Sequence, residues 1–466
     1  MAILAAFAVP HPPIILPEIG KGEETKIQKT IDAYRQVMKE AAELRPDTIV
    51  ISSPHAQGYA DYFQIAPGKT AHGDFGAFRA PKVTIDVNYD EELVQEIASV
   101  CEKREIPAGT FGEGKAELDH GTMIPLYFLR QFLPLDQVRV VRLGLSGLTP
   151  ITHYRLGQAI ADAAEKLGRR VVYIASGDLS HKLTKEGPYG FAKEGPEFDR
   201  LCTDCLAKTD FLTLLEANQE FCYRAAECGL RSFWIMAGAL DRKALDAKLL
   251  SYEGPFGVGY GVVSFHVKGD DPARNLGDQL AAKQTAEMEK IRAAEDPIVR
   301  LARYTVETYV TTQEPVSVIP SDVPPELLTQ RAGAFVSLHE NGRLRGCIGS
   351  IGPAQRSLAE EILHNAVSAA SRDPRFDPVS KEELPHIVYS VDVLGPLTPV
   401  HDVKKLDAKK YGVLVKSRYD DRRGLLLPNL DGVDTPDQQI AIARRKGDIR
   451  PDEPVELWKF EVVRHY

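Results

Sequence analysis

Four short strand-like segments, the first of them continuously apolar, constrain the first half of this chain more than any other feature. They are Ala2–Ala8, "DTIVISSPH" over 47–55, "RVVRLGLS" over 139–146 and "RVVYIASGDLSH" over 170–181. A strand with one wet face alternates apolar and polar residues. An unbroken apolar run fits a strand covered on both faces. Helical patterns separate the runs. Ile27, Ile31, Tyr34, Met38 and Ala41 recur at helical spacing over 26–44, and "YRLGQAIADAAEKLG" fills 154–168. This β-α-β rhythm predicts an α/β N-terminal domain: a mostly parallel sheet with helices on both faces. Late strands around a Gly-rich turn are expected within 249–267.

A chain of 466 residues exceeds one ordinary core. Composition turns polar and charged over 269–296, so we place a first domain at 1–270, a linker at 271–289 and a second domain at 290–466. The second half has another grammar. A hairpin over 333–351 turns through Asn341-Gly342, and a helix is predicted at 357–373. Strands follow at 386–394, 411–417 and 423–427, then a helix near 436–446 and a last strand at 455–463. That reads as a smaller α+β domain.

Several function classes drop out. With 57 basic against 66 acidic side chains, the net charge of −9 argues against a nucleic-acid groove. No apolar stretch reaches membrane-spanning length, and the first 17 residues lack a basic region and a cleavage signal, so a cytoplasmic protein is expected. Six cysteines are too few for a disulfide scaffold. Cys202-x-x-Cys205 lies in a helical pattern without glycine knuckles, which reads as core rather than as structural zinc. No phosphate-binding glycine loop follows a strand, and "SGDLSH" is not a nucleophile elbow.

In an open parallel sheet, ligands bind beyond the carboxyl ends of the strands. Three histidines fall there: His11 in "VPHPPIILP", His55 in "SSPH" and His181 in "SGDLSH". A fourth, His120 in "LDHGTMIPL", sits at an expected helix start. The prolines around His11 forbid a helix and stiffen the strand exit, so the imidazole is presented in a fixed direction. Imidazole binds Fe, Zn, Cu and Ni. Two His with one carboxylate is the non-heme iron(II) arrangement, which leaves positions open for substrate and oxygen. Asp178, Glu227 and Glu253 are candidate carboxylates; Asp178 is also placed to orient His181.

The ordered set "VPHPPII", "SSPH", "DHG", "SGDLSH" and "ECGLRSFWIMAGAL", within 1–268, resembles the class III extradiol dioxygenase B-subunit (LigB-like) superfamily, which includes the Memo proteins. The resemblance implies His11, His55 and Glu227 as ligands of Fe(II), with Zn or another divalent metal as alternatives. It implies His181 as the acid/base and His120 as a neighbouring group that touches substrate or oxygen. The implied reaction is ring cleavage of a catechol-like phenolic small molecule. Cys228, beside Glu227, and Glu253 are alternative third ligands. Oxygen-independent metal-assisted hydrolysis or lysis in the same pocket is a second reading. A non-catalytic metal-binding and partner-binding protein is a third.

In "GRLRGCIGSI" (342–351), strand parity puts Arg345 and Cys347 on one face. A guanidinium beside a thiol favours the thiolate; the alternative is an arginine paired with a carboxylate. "LRGCIGSI", "AVSAASRDPRFDPVS" (366–380) and "RRGLLLPNL" (422–430) resemble the AMMECR family over 290–466. That resemblance implies a cleft near Arg345, Cys347, Asp373 and Arg375, with no assigned reaction; Asp373 and Arg375 equally suit a structural ion pair. The two halves together resemble the AmmeMemoRadiSam grouping, which implies a radical S-adenosylmethionine protein as partner. With no C-x3-C-x2-C in this chain, that partner would be a separate protein. Homo-oligomer formation stays open.

Overall fold

The apolar runs become the interior of an eight-stranded sheet in the computed structural model, which describes residues 2–112, 117–316, 319–340, 342–381, 383–430 and 432–466. The strands are β1 (Ile3–Val9), β2 (Thr48–Ser53), β3 (Thr70–Phe75), β4 (Ala80–Tyr89), β5 (Arg139–Gly144), β6 (Val171–Ser176), β7 (Lys243–Glu253) and β8 (Tyr260–Asp270). Their spatial order is β3-β4-β5-β2-β6-β1-β8-β7. The five central strands, β4 to β1 in that order, run parallel. β3 at one edge, and β8 and β7 at the other, pair antiparallel.

Helices cover both faces: α1 (Gln28–Glu43), α2 (Glu91–Lys103), α3 (His120–Leu129), α4 (Pro150–Leu167), α5 (Glu194–Lys208) and α6 (Leu230–Ala239). The pleat divides the core. Ala5, Phe7 and Val9 of β1 pack with Tyr34 and Met38 of α1 and Ile124 of α3. Ala6 and Ala8 pack on the other side with Ile97 of α2, Leu156 of α4 and Trp234 of α6. Every residue of β2 and β6 is buried, which is why those runs show no alternation. Cys202 and Cys205 lie on α5 within the apolar core.

The chain divides into two compact units, Met1–Ala281 and Ala282–Tyr466. The boundary falls inside one helix, α7 (Leu276–Ala294), which occupies most of the stretch expected as a linker.

The second unit holds two four-stranded antiparallel sheets. The first has the order β10 (Arg343–Gly349), β9 (Ala334–Glu340), β11 (Ile387–Leu394), β16 (Val462–His465). The second has the order β12 (Thr398–Pro399), β15 (Val455–Phe460), β13 (Gly412–Ser417), β14 (Arg423–Leu426). Helices α8 (Pro297–Thr312) and α9 (Leu358–Ser371) cover the first sheet, and α10 (Pro436–Lys446) the second. The single closing strand expected at 455–463 is corrected to two. The chain turns at Glu461, whose carbonyl accepts Gly395 N–H at 2.9 Å, and passes from one sheet to the other. At the hairpin turn Asn341 lies outside the described residues, while Gly342 takes φ 75°, a left-handed conformation that glycine adopts readily.

Candidate metal centre

β2, β6 and β1 are neighbours, and their carboxyl ends build one site. His11 stands two residues beyond β1 and is 2% exposed. Its backbone N–H donates to Asp178 Oδ1 at 2.8 Å, which ties the strand exit to the loop after β6. Its ring Nδ1 lies 2.9 Å from Ser176 Oγ, at the end of β6. The Ser176 hydroxyl donates its one proton to Gly121 O at 2.6 Å, so His11 Nδ1 must be the donor to Ser176. That tautomer leaves Nε2 unprotonated, the form in which it can bind a metal.

His55 Nε2 is 3.1 Å from His11 Nε2. The third imidazole is His120, the first residue of α3; its ring centroid lies 4.0 Å from that of His55 and 5.5 Å from that of His11. One ring nitrogen from each of the three falls within 4.8 Å of the others. α3 can approach this closely because residue 121 is glycine. A Cβ there would sit 2.4 Å from Ser53 Oγ and 3.4 Å from His11 Nδ1. Asp119 caps α3 and fixes its start. Its carboxylate accepts Thr122 N–H at 3.0 Å, Thr122 Oγ1–H at 2.8 Å and Ser53 Oγ–H at 2.5 Å. Burial alone would raise the Asp119 carboxyl, but the hydrogen bonds from Ser53 and Thr122 and the nearby Arg142 guanidinium hold it below its ordinary range. Asp119→Ala is therefore expected to cost about 3 kcal/mol in chemical denaturation, since it removes a cap and strips a buried guanidinium of its counter-charge.

Burial, and then the neighbouring His55, push the His11 imidazole down to about 3. It is neutral at neutral pH, as a ligand must be. Burial pushes the Asp178 carboxyl up to about 6, against the hydrogen bond from His11 N–H and the nearby imidazoles of His181 and His55. Three imidazoles with a ring nitrogen each within 4.8 Å of the others suit Fe, Zn, Cu or Ni, and not the oxygen-seeking Mg or Ca. A cavity of about 670 Å³ opens on the group, with Pro54, Leu118 and the imidazoles of His55 and His120 in its wall.

Glu227, expected as the carboxylate ligand, is not in this group. Its Oε2 accepts Leu230 N–H at 2.7 Å at the start of α6. Burial pushes the Glu227 carboxyl up to about 7. The adjacent Cys228 does reach the site: its Sγ is 3.7 Å from His11 Nε2 and 3.3 Å from Asp178 N, whose N–H donates to it. Burial, and then the nearby Asp178 and Glu227 carboxyls, hold the Cys228 thiol well above its usual range. Glu253 lies elsewhere, accepting Thr30 N–H and Oγ1–H, both at 2.8 Å. His181 follows Asp178 on the same loop, and its Nδ1 is buried with no hydrogen-bond partner among the described residues. Sequence reasoning missed Ser176 as the partner of His11. Its only signal was a hydroxyl at the end of an apolar strand. The capping role of Asp119 was signalled by an Asp directly before a helical run.

In the second unit, the strand parity of Arg345 and Cys347 does not bring their groups together. Arg345 forks onto Glu383, with Nε to Oε1 at 2.5 Å and Nη2 to Oε2 at 3.1 Å. The guanidinium interacting with Cys347 is that of Arg375. Arg375 Nη2 donates to Cys347 O at 3.2 Å and to Asp373 Oδ2 at 2.6 Å. Asp373 also accepts Cys347 N–H at 2.9 Å, and Arg375 holds its carboxyl down at about 2. The thiol accepts the Ser337 hydroxyl proton at 3.2 Å.

Fold and histidine cluster define an α/β protein with three convergent imidazoles at the carboxyl edge of a parallel sheet. Residues 5–263 match the family described as the catalytic LigB subunit of aromatic ring-opening dioxygenase, and the chain belongs to that family. Residues 299–465 match AMMECR1, so the two are fused in one polypeptide. A Clostridium acetobutylicum protein is 38% identical over 473 residues, covering 100% of this chain and 99% of its own. A Thermotoga maritima protein is 49% identical over 173 residues, covering 37% of this chain and 98% of its own. Among solved structures, an uncharacterized Pyrococcus horikoshii protein is similar at 32% identity and a TM-score of 0.33, covering 36% of this chain and 88% of its own.

Proposed function

We propose that the N-terminal unit is a metal-dependent ring-cleavage dioxygenase acting on a catechol-like phenol, with Fe(II) held by His11, His55 and His120. The observation that carries this reading is the convergence of three ring nitrogens within 4.8 Å at the strand ends of a LigB-family chain. The metal would supply adjacent sites for the two phenolic oxygens and for dioxygen. Cys228 is a further soft donor at the same ring nitrogen of His11. His181 takes a phenol proton and later returns it; its Nδ1 is a proton site not committed to another protein group among the described residues. Asp178, through His11 N–H, keeps the His11 and His181 loops in register. The site's ligand is a small phenol. Among the described residues no helix is long and apolar enough to cross a membrane.

The test is oxygen uptake by anaerobically Fe(II)-loaded protein given catechol. Stoichiometric uptake with a ring-opened product supports the reading, and none under saturating catechol sinks it. One observation favours a second reading: the described donor group is all nitrogen, and three histidines also suit zinc-activated water. Under that reading the zinc-loaded chain hydrolyses its substrate without oxygen.

A further inference from the structure

The segment 182–192, directly after His181, is anchored at its base by backbone. Leu183 N–H donates to Gly257 O at 3.1 Å, and Ala192 N–H to Lys182 O at 3.2 Å. Leu183 pairs antiparallel with Phe191 across the base. Gly187 and Gly257 meet so closely that a Cβ on Gly257 would lie 2.7 Å from Gly187 Cα. Position is thus set without help from the side chains at the tip. That tip leaves Tyr189 60% and Phe191 51% exposed.

Tyr189 is not simply loose. Its ring stands edge-to-face against His181, with centroids 5.2 Å apart and planes at 87°. A large ring kept in water beside an imidazole whose buried Nδ1 has no partner among the described residues would gain apolar contact from a flat group entering beside it. His181 lies three residues after Asp178, whose Oδ1 accepts His11 N–H at 2.8 Å and whose own N–H donates to Cys228 Sγ, itself 3.7 Å from His11 Nε2, so the loop that carries His181 is tied to the histidine cluster.

We propose that Tyr189 is the aromatic wall of the substrate subsite, packing against a planar phenolic ring held between the histidine cluster and His181. The wall selects aromatic vicinal diols over aliphatic ones: a flat ring offers a face or an edge to the tyrosine, and a puckered ring offers neither well. This rests on the ring-cleavage reading and adds a specificity-determining residue to it.

The experiment is anaerobic calorimetry of the full chain, loaded with Fe(II), titrated with catechol and with cis-1,2-cyclohexanediol. Wild type should bind catechol in preference. Tyr189→Ala and Tyr189→Leu should each weaken catechol about tenfold, and Tyr189→Phe by less than about twofold, with Fe(II) stoichiometry unchanged in all three. The cyclohexanediol isotherm should not move. Catechol affinity kept in Tyr189→Ala overturns the proposal. Affinity kept in Tyr189→Leu overturns the aromatic part of it. If wild type takes up Fe(II) yet binds no catechol, the ring-cleavage reading falls first and this inference with it.

Discussion

Replacing His11 by alanine is expected to reduce bound Fe(II) from about one per chain to near zero in anaerobic metal analysis. His11 is the most buried of the three imidazoles and the one with its tautomer set from behind. Ser176→Ala removes only that support. It should weaken the metal about 10–100-fold in a chelator competition while the stoichiometry at saturating metal is kept. The ordering of the two variants is the signature of a ligand and its support. Full metal content in His11→Ala would show that the cluster is not the metal site.

Glu227→Gln is expected to stabilise the protein at alkaline pH without loss of metal. The carboxyl titrates near 4.5 in the unfolded chain, and burial raises it to about 7 in the folded one. A group with a raised folded-state value gives its full stability below the unfolded value and loses it as pH rises through the folded value. At about pH 8 the wild-type chain therefore carries a buried carboxylate at a cost of about 3 kcal/mol. Glutamine can still accept Leu230 N–H and carries no charge. Urea denaturation should show the variant more stable at about pH 8 and equal to wild type near pH 4. His11 works in the opposite sense. Its folded value of about 3 lies below the ordinary 6.5, so its contribution is present above 6.5 and is lost as pH falls toward 3.

What could be read from residues alone follows from where the information sits. β1, β2 and β6 announce themselves because burial on both faces leaves them largely apolar and free of charged residues, and His11 and His55 follow as strand-end groups. β3 passed unseen: "TAHGDF" is an edge strand with alternate residues exposed and little apolar content. His120 reads as a helix-start residue, but its place beside His11 depends on how Gly121 meets Ser53 and Ser176, which are distant in sequence. Glu227 matched a family pattern, yet Leu230 N–H claims its carboxylate in this structure. At Arg345 and Cys347 the structure shows the alternative reading, an arginine paired with a carboxylate. Glu383, brought in by a separate segment, captures the Arg345 guanidinium.

The most direct measurement of the central claim compares metal content in His120→Ala and Glu227→Gln after identical anaerobic Fe(II) loading. A centre built from His11, His55 and His120 predicts that His120→Ala loses the metal and Glu227→Gln keeps it. Retention in His120→Ala with loss in Glu227→Gln would contradict the account.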